Sequence, residues 1–346
     1  VVLSNGSPIE MPWVNDVSSI LEGYLGGQAG AGGIADILYG AVNPSGRLAE
    51  TFPVKLSDNP SQAYFPGGPT TVEYRESIYV GYRYYDTVKQ DVLFPFGHGL
   101  SYTSFAYDNL KINKVQDESD KVTIQLTVKN TGKISGKETV QVYVRDVEST
   151  LFRPHKELKG FAKVDLKPGE ESGVSIELDR RAFAFYDVEQ RDWLVEAGVF
   201  EILVGASSQD IRLTGSLQLS STQKASAVDK EKLATYYNFP KDALVSQRDF
   251  EALLGHPLPP NQPPEKGSYT LNTPIDDMSD SLIGKMLFKV LEKQMSKMVV
   301  GQEDTPTGVM MMAMLHEMPL RSMLMTDDGP FTREILEALL EMINGH

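Results

Sequence analysis

Residues 74–86 read Tyr-Arg-Glu-Ser-Ile-Tyr-Val-Gly-Tyr-Arg-Tyr-Tyr-Asp, one glutamate crowded by aromatics and arginines. This is the equipment of a sugar site: ring faces for pyranose CH groups, N–H donors for hydroxyls, and a carboxyl that can protonate a leaving oxygen. In such a site Glu76 would be the proton donor. Composition alone does not select it, because it is one of 47 acidic residues and most carboxylates are solvated surface. Tyr79, Tyr82, Tyr84 and Tyr85 also have a plainer explanation, the alternating packing of a strand. His98, between Gly97 and Gly99, reads as a turn residue rather than a catalytic one.

Other chemistries find less support. Gly30-Ala31-Gly32-Gly33-Ile34-Ala35 fits the dinucleotide pattern G-x-G-x-x-A. That pattern needs a preceding strand, and a helix is expected before these glycines, so they read as flexible, close-packed backbone. The chain has no cysteine, which excludes disulfides, thiolate metal sites and a Cys nucleophile. Its five histidines, His98, His155, His256, His316 and His346, lack metal-ligand spacing, and no metal is expected. No apolar run approaches the roughly 18 residues of a membrane span. The net charge of −14 is dispersed, which argues against nucleic acid and anionic membranes and leaves neutral sugars or small molecules.

The elements that must position Glu76 fall into three stretches of the 346 residues. The opening Val1-Val2-Leu3 reads as a buried strand leaving a sheet whose partners are missing or upstream. Asn15 then caps an expected helix with Ile20, Leu21 and Tyr24 on one face, stopped by Gly26-Gly27. A second short helix carries Ile34, Ile37 and Leu38 and ends at Gly40, so the stretch reads as an α/β layer fold. From about Phe105 the period becomes two: Val122, Ile124, Leu126 and Val128 alternate with polar residues. Val140, Val142 and Val144 repeat the pattern, as do Val174, Ile176 and Leu178, and Phe200 to Val204 adds another β run. Short strands at this spacing indicate an immunoglobulin- or fibronectin-type sandwich, without an exposed aromatic platform on its strands.

Beyond about Ser220 the chain turns polar, then Pro-rich from Pro257 to Pro264, then helical. Twelve of the 13 methionines lie between Met278 and Met342. Leu282, Met286 and Val290, flanked by Ile283, Leu287 and Leu291, form a wide apolar face, and Ile335, Leu336, Leu339, Leu340 and Ile343 form another. These stripes read as core packing rather than a docking groove.

Several blocks, in order along nearly the whole chain, resemble family 3 glycoside hydrolases. They are Val1 to Trp13, Gly26 to Pro53, Tyr74 to Asp86, Leu93 to Phe105 and Arg153 to Glu170, while Met318 to Met325 and the last helix resemble the helical tail of bacterial β-glucosidases of the family. The resemblance implies part of an α/β sandwich domain over 1–104, a fibronectin type III-like domain over 105–220, and a linker and helical tail over 221–346. The family's loop Tyr-x-Glu-Gly, in which Asp sometimes replaces Gly, carries the acid/base and maps onto Tyr74 to Ser77. Ser77 departs from it, and since glycine tolerates φ > 0 more easily, the departure bears on the shape of the turn.

The same resemblance implies retaining hydrolysis of terminal, non-reducing β-D-glucosyl residues, without metal or organic cofactor. Family members place the nucleophilic Asp in an N-terminal (β/α)8 (TIM) barrel, and no eight-fold strand–helix alternation is present here. The chain is thus expected to begin inside a larger protein, to need that barrel portion as partner, and to be inactive alone. A β-xylosidase or arabinosidase of the same family, or a non-catalytic binding module, are the alternatives. Substrate-contacting residues are not identifiable. A cytoplasmic location is expected, and a homo-oligomer is compatible with the sequence.

Overall fold

The computed structural model describes residues 1–114, 121–298, 300–301, 304–324 and 331–345; Met325 and His346, named above, lie outside them. The chain divides into two compact units, one of Val1–Phe65 with Tyr74–Pro257 and the other of Pro66–Glu73 with Leu258–His346.

The first unit begins with mixed α and β structure. β1 (Val2–Leu3) pairs in parallel with β2 (Leu21–Glu22), α1 spans Gly30–Leu38, and β3 (Phe52–Pro53) pairs antiparallel with β4 (Val92–Phe94), with α2 (Tyr82–Val88) between them. Three expectations change here. The partner of the first strand lies downstream, and only Leu3 of its apolar run is buried, Val1 and Val2 remaining exposed. The helix expected over Ile20, Leu21 and Tyr24 is instead a single turn at Val14–Asp16 followed by β2. The glycines therefore follow a strand, and α1 starts on Gly30 itself, so they form helix body rather than a phosphate-facing loop. A small core of Leu3, Met11 and Phe52, with Ile9, Trp13, Ile20, Leu48 and Phe94 packed on it, holds these pieces together.

The sandwich follows. β5 (Phe105–Lys114), β6 (Val122–Asn130), β7 (Gly136–Asp146), β8 (Glu157–Leu166), β9 (Glu171–Leu178), β12 (Gly198–Gly205) and β13 (Ile211–Leu219) form two sheets, with a hairpin of β10 (Phe185–Asp187) and β11 (Asp192–Leu194) inserted. One sheet has the order β5-β6-β9 and the other β13-β12-β7-β8. Val122, Ile124, Leu126 and Val128 face Val140, Val142, Val144, Phe200, Ile202 and Val204 across the interior, as their alternation predicts. Each such side chain removed from water is worth about 1.5–3 kcal/mol. The buried Asn130 closes one end: its amide donates to the carbonyls of Ile134 (2.8 Å) and Leu166 (3.0 Å), and its oxygen accepts from Thr103 and Gly132.

The sandwich is tied to the preceding segment by charge and hydrogen bonds. Arg47 meets Glu138 at 2.6 Å, both side chains buried, and the Tyr107 hydroxyl donates to the same carboxylate at 2.7 Å. From α2, Asp86 pairs with buried Lys156 at 2.9 Å, the Thr87 hydroxyl accepts from the amide of His155, and the Tyr82 hydroxyl accepts from that of Leu158. After β13 the chain remains in this unit through α3 (Ala234–Tyr237) and α4 (Gln247–Leu254); α4 is capped by Ser246, which accepts from the Asp249 amide.

The second unit is helical, with α5 (Leu282–Met298), α6 (Pro306–Glu317) and α7 (Arg333–Asn344) around Tyr269, Ile275, Met278, Leu320, Leu336 and Ile343. Thr305 and Thr332 cap α6 and α7, and Gly345 ends α7 in the left-handed region. Ile283, Leu287 and Leu291 pack on the core as expected. The neighbouring ridge does not: Leu282, Met286 and Val290 are exposed, Leu282 to 84%. A helix turns about 100° per residue, and here the core reaches only one side of the wide apolar face. Met310, Met314 and Met342 are exposed as well, so the methionine stripe is only partly core.

Candidate active site

Glu76 sits in consecutive tight turns. The Ser77 amide donates to the Tyr74 carbonyl and the Tyr79 amide to the Glu76 carbonyl, both at 3.0 Å. In the second turn Ser77 is the first central residue and has φ +53°, the left-handed conformation that glycine adopts without penalty. The substitution thus leaves the turn's backbone in the shape a glycine would favour and places strain on Ser77. Gly81, φ +55°, then leads into α2.

That helix corrects the strand reading of the tyrosines. Tyr82, Tyr84 and Tyr85 lie on α2, where residues two apart do not share a face, and they pack in different directions. Tyr79 and Tyr84 are buried against Phe239, with centroids 4.3 and 5.9 Å away, while Tyr82 stacks on Phe96 at 4.6 Å. Burial raises the Tyr84 hydroxyl to about 12, with Asp242 and Asp58 adding to the effect. These rings are scaffold rather than an open sugar platform.

Glu76 is 4% exposed, and among the described residues its Oε2 has no hydrogen-bond partner. Burial raises its carboxyl above the ordinary value, and a backbone N–H opposes this only partly. A carboxyl that is buried, incompletely hydrogen-bonded and biased toward its protonated form has the properties of a general acid. His98 is a turn residue: its amide donates to Pro95, its carbonyl accepts from Leu48, and its ring stacks on Phe94. Burial, then Arg47, lowers its pKa.

Other residues hold this turn, and sequence reasoning missed them. The Tyr236 hydroxyl donates to the Arg75 carbonyl at 3.1 Å, the Tyr79 hydroxyl donates to the Tyr236 carbonyl, and the Arg75 guanidinium donates to the Val245 carbonyl at 2.9 Å. They lie in the stretch read as polar linker; the signal was the aromatic run Tyr236-Tyr237-Asn238-Phe239 inside it. A cavity of about 830 Å³ is lined by Ile78, Arg83, Lys159, Tyr186 and Trp193 among others. Tyr186 on β10 and Trp193 on β11 are partly exposed, as is Phe161 on β8, so exposed aromatics do occur on strands of this region, contrary to the expectation from sequence. The Arg181 guanidinium covers one face of Trp193 at 3.4 Å. Among the described residues no cluster of three metal-ligating side chains occurs, and no helix is long and apolar enough to cross a membrane.

The segment that contains this turn resembles a known domain. Residues 1–102 match the glycosyl hydrolase family 3 C-terminal domain, and residues 138–208 match the fibronectin type III-like domain. The chain belongs to glycoside hydrolase family 3. This family 3 chain is 46% identical over 347 aligned residues to thermostable beta-glucosidase B of Acetivibrio thermocellus, covering 99% of the chain and 40% of that protein. It is 45% identical over 225 residues to an exo-alpha-(1->6)-L-arabinopyranosidase of Bifidobacterium breve, covering 65% of the chain and 30% of the relative. Among solved structures, a GH3 beta-glucosidase of Bifidobacterium adolescentis superposes with a TM-score of 0.63 at 44% identity, over 66% of this chain and 34% of that one. Beta-glucosidase 3B of Thermotoga neapolitana, in complex with alpha-D-glucose, gives 0.60 at 41%, over 64% and 31%. The chain therefore spans about two-fifths or less of the length of these relatives.

Proposed function

We propose that this chain supplies the acid/base half of a retaining β-glucosidase site, in which Glu76 protonates the leaving oxygen and then activates water. The nucleophile comes from an N-terminal TIM-barrel portion of the same protein, and the chain alone is inactive. The observation that carries this reading is the buried Glu76 carboxyl with an unpartnered oxygen and a raised pKa, on a turn of family 3 sequence. Large apolar side chains of the first segment, including Leu25, Tyr39, Leu56 and Tyr74, are exposed, which is the kind of surface another part of a protein covers. Within this reading residues 1–104 present the turn, 105–220 brace it, and 221–346 complete and extend the scaffold; the location is cytoplasmic and no cofactor takes part.

In retaining hydrolysis two carboxyl groups roughly 5 Å apart flank the bond, one attacking the anomeric carbon and the other donating a proton. Glu76→Ala in the protein as its gene encodes it removes the donor and leaves the nucleophile. Hydrolysis of substrates with poor leaving groups, such as cellobiose, should fall by roughly 10²–10⁴-fold. Activated aryl glucosides should give a burst and then a slow steady rate, and azide, which needs no base, should restore turnover as β-glucosyl azide. Near-normal cellobiose hydrolysis by Glu76→Ala, or azide rescue of a Glu73 variant instead, would sink the assignment.

The arabinopyranosidase names of two relatives, 45% and 44% identical, favour a second reading with the same chemistry and a different sugar. Aryl glycosides of glucose, xylose and arabinose separate the two: the glucoside should be cleaved with the highest kcat/KM, and an arabinoside preferred over it by more than roughly tenfold, about 1.4 kcal/mol, would reverse the choice.

A further inference from the structure

The Glu76 carboxyl is held by its own backbone N–H, and among the described residues its Oε2 has no partner, so the aim of the carboxyl depends on the backbone that carries it, and that backbone includes the left-handed Ser77. A strained turn persists only where its surroundings over-determine it.

The surroundings that do so come from the segment that follows the sandwich in sequence. Tyr236, fully buried on α3, donates its hydroxyl to the carbonyl of Arg75, the peptide that enters Glu76. Tyr79, whose amide closes the turn, donates its own hydroxyl to the carbonyl of Tyr236 at 2.5 Å. The two bonds run in opposite directions between the same two segments: Tyr236 holds the peptide before Glu76, and Tyr79, three residues after Glu76, holds the backbone of Tyr236. A second pair flanks them: the Tyr64 hydroxyl exchanges two 2.8 Å hydrogen bonds with the backbone of Val245, whose carbonyl also receives the Arg75 guanidinium, and that guanidinium lies over the Tyr64 ring at 4.7 Å. Phe239 packs against Tyr79, and Phe152 from the sandwich stacks on Tyr79 and Tyr236.

We propose that Tyr236 and Tyr79 are positioning residues for Glu76, a hydroxyl clamp through which the segment after the sandwich holds the acid/base turn in register. The proposal rests on the acid/base reading of Glu76. Proton donation requires heavy atoms within about 2.6–3.2 Å, and an error near 1 Å in placing a reacting group can cost about 10²-fold. The clamp fixes the turn while leaving Oε2 free to carry the proton. The ionisable groups around it are Arg75 and Tyr79 on the turn, Tyr64, Tyr236 and Tyr237, and Asp249 from α4, which acts on Tyr236.

Tyr236→Phe keeps the ring and removes the bond. In the gene-encoded protein, kcat/KM for alkyl glycosides of the sugar it cleaves should fall by roughly tenfold through kcat, while the dinitrophenyl glycoside, which needs little proton donation, changes less than about twofold. Tyr79→Phe removes the opposing bond and should give the same split; it decides the matter if Tyr236→Phe does not fold. Tyr107→Phe, which deletes a buried hydroxyl in the sandwich, should lower stability without changing the ratio between the two substrates. Equal losses on both substrates in the turn variants, or no loss on either, would overturn the proposal. Glu76→Gln run alongside separates the failures. If it lacks the leaving-group dependence, the acid/base reading falls and the clamp with it; if it shows the dependence and the tyrosine variants do not, the clamp alone is wrong.

Discussion

Inside the sandwich, Val122, Ile124, Leu126 and Val128 enter one apolar interior, and the buried polar Asn130 has both ends of its amide satisfied. The Glu76 turn, in the same compact unit, has a carboxyl oxygen without a partner, a non-glycine residue at positive φ, and tyrosines whose hydroxyls reach backbone carbonyls far away in sequence. The apolar positions of the sandwich follow the local pattern, with isolated departures at Asn109, φ +57°, and at the buried Thr139 hydroxyl; the turn gathers several departures around one carboxyl and is restrained from outside. Departures of this kind are expected where stability is given up for chemistry, and their concentration around Glu76 accords with the proposed role. The contrast also divides the expected effects of mutation: truncating the sandwich interior should cost stability, whereas replacing the Glu76 carboxyl should cost activity while keeping or gaining stability.

The largest stability effect is expected in the sandwich. Phe200 is fully buried and meets Phe183 edge-on at 5.4 Å. Phe200→Ala leaves a cavity that close-packed strands cannot fill, and such truncations cost about 3–5 kcal/mol. Urea unfolding of this chain should show that loss with little change in slope; a loss below about 1 kcal/mol would mean that the interior collapses around the gap and is less ordered than its alternation implies.

A smaller effect with a pH signature is expected at Glu76. Burial raises its carboxyl above the ordinary value, so the folded chain favours the neutral form. For an acid shifted upward, the native state holds its proton longer than the unfolded chain does. Stability from this site is therefore fully present below the unfolded value of about 4.3 and falls as pH rises from there through the raised folded value. Glu76→Gln cannot ionise. It should match the parent near pH 4 and become the more stable of the two as pH rises toward 8. A stability difference that is the same at both pH values would place the carboxylate in a solvated or paired setting and erase the contrast with Asn130.

How much of this was legible follows the same division. The sandwich strands could be read because a period of two is local: each inward residue announces itself two positions along. The helix α1, expected to end at Gly40 and observed to end at Leu38, is legible because Ile34, Ile37 and Leu38 recur at the equally local helical spacing. Leu21 was misread as helical because a two-residue strand is too short to show any period, and its pairing with Val2 is decided by chain nearly twenty residues away. The tyrosines after Gly81 were misread because aromatic spacing resembled alternation, whereas a glycine at positive φ opens a helix there. Of the candidate site, Glu76 is singled out in the sequence only through the resemblance of its motif, and its role is a proposal. Tyr236 and Val245 are not, since their contacts span about 160–170 residues and nothing in local spacing reports them. In the helical unit, apolar content was visible, but which ridge meets the core depends on rotation about the helix axis, and Leu282, Met286 and Val290 proved to be outside it.

The smallest effect sharpens the comparison most, because it separates strain from function at a single residue. Ser77 holds φ +53° between two turns. A left-handed conformation costs a residue with a Cβ about 1–2 kcal/mol relative to glycine, and glycine gives back about 0.5–1 kcal/mol through the greater freedom of its unfolded chain. Ser77→Gly should therefore stabilise the chain by roughly 0.5 kcal/mol, and Ser77→Val, whose branched Cβ fits this region worst, should destabilise it by more than about 1 kcal/mol. Both changes are read by urea midpoint at constant slope. Because the turn already has the backbone a glycine would adopt, Ser77→Gly should leave the preference of the gene-encoded protein between alkyl and dinitrophenyl glycosides unchanged. If it destabilised the chain instead, the serine hydroxyl would be making a contribution that outweighs the strain, and the turn would be held from within rather than by Tyr236 and Tyr79.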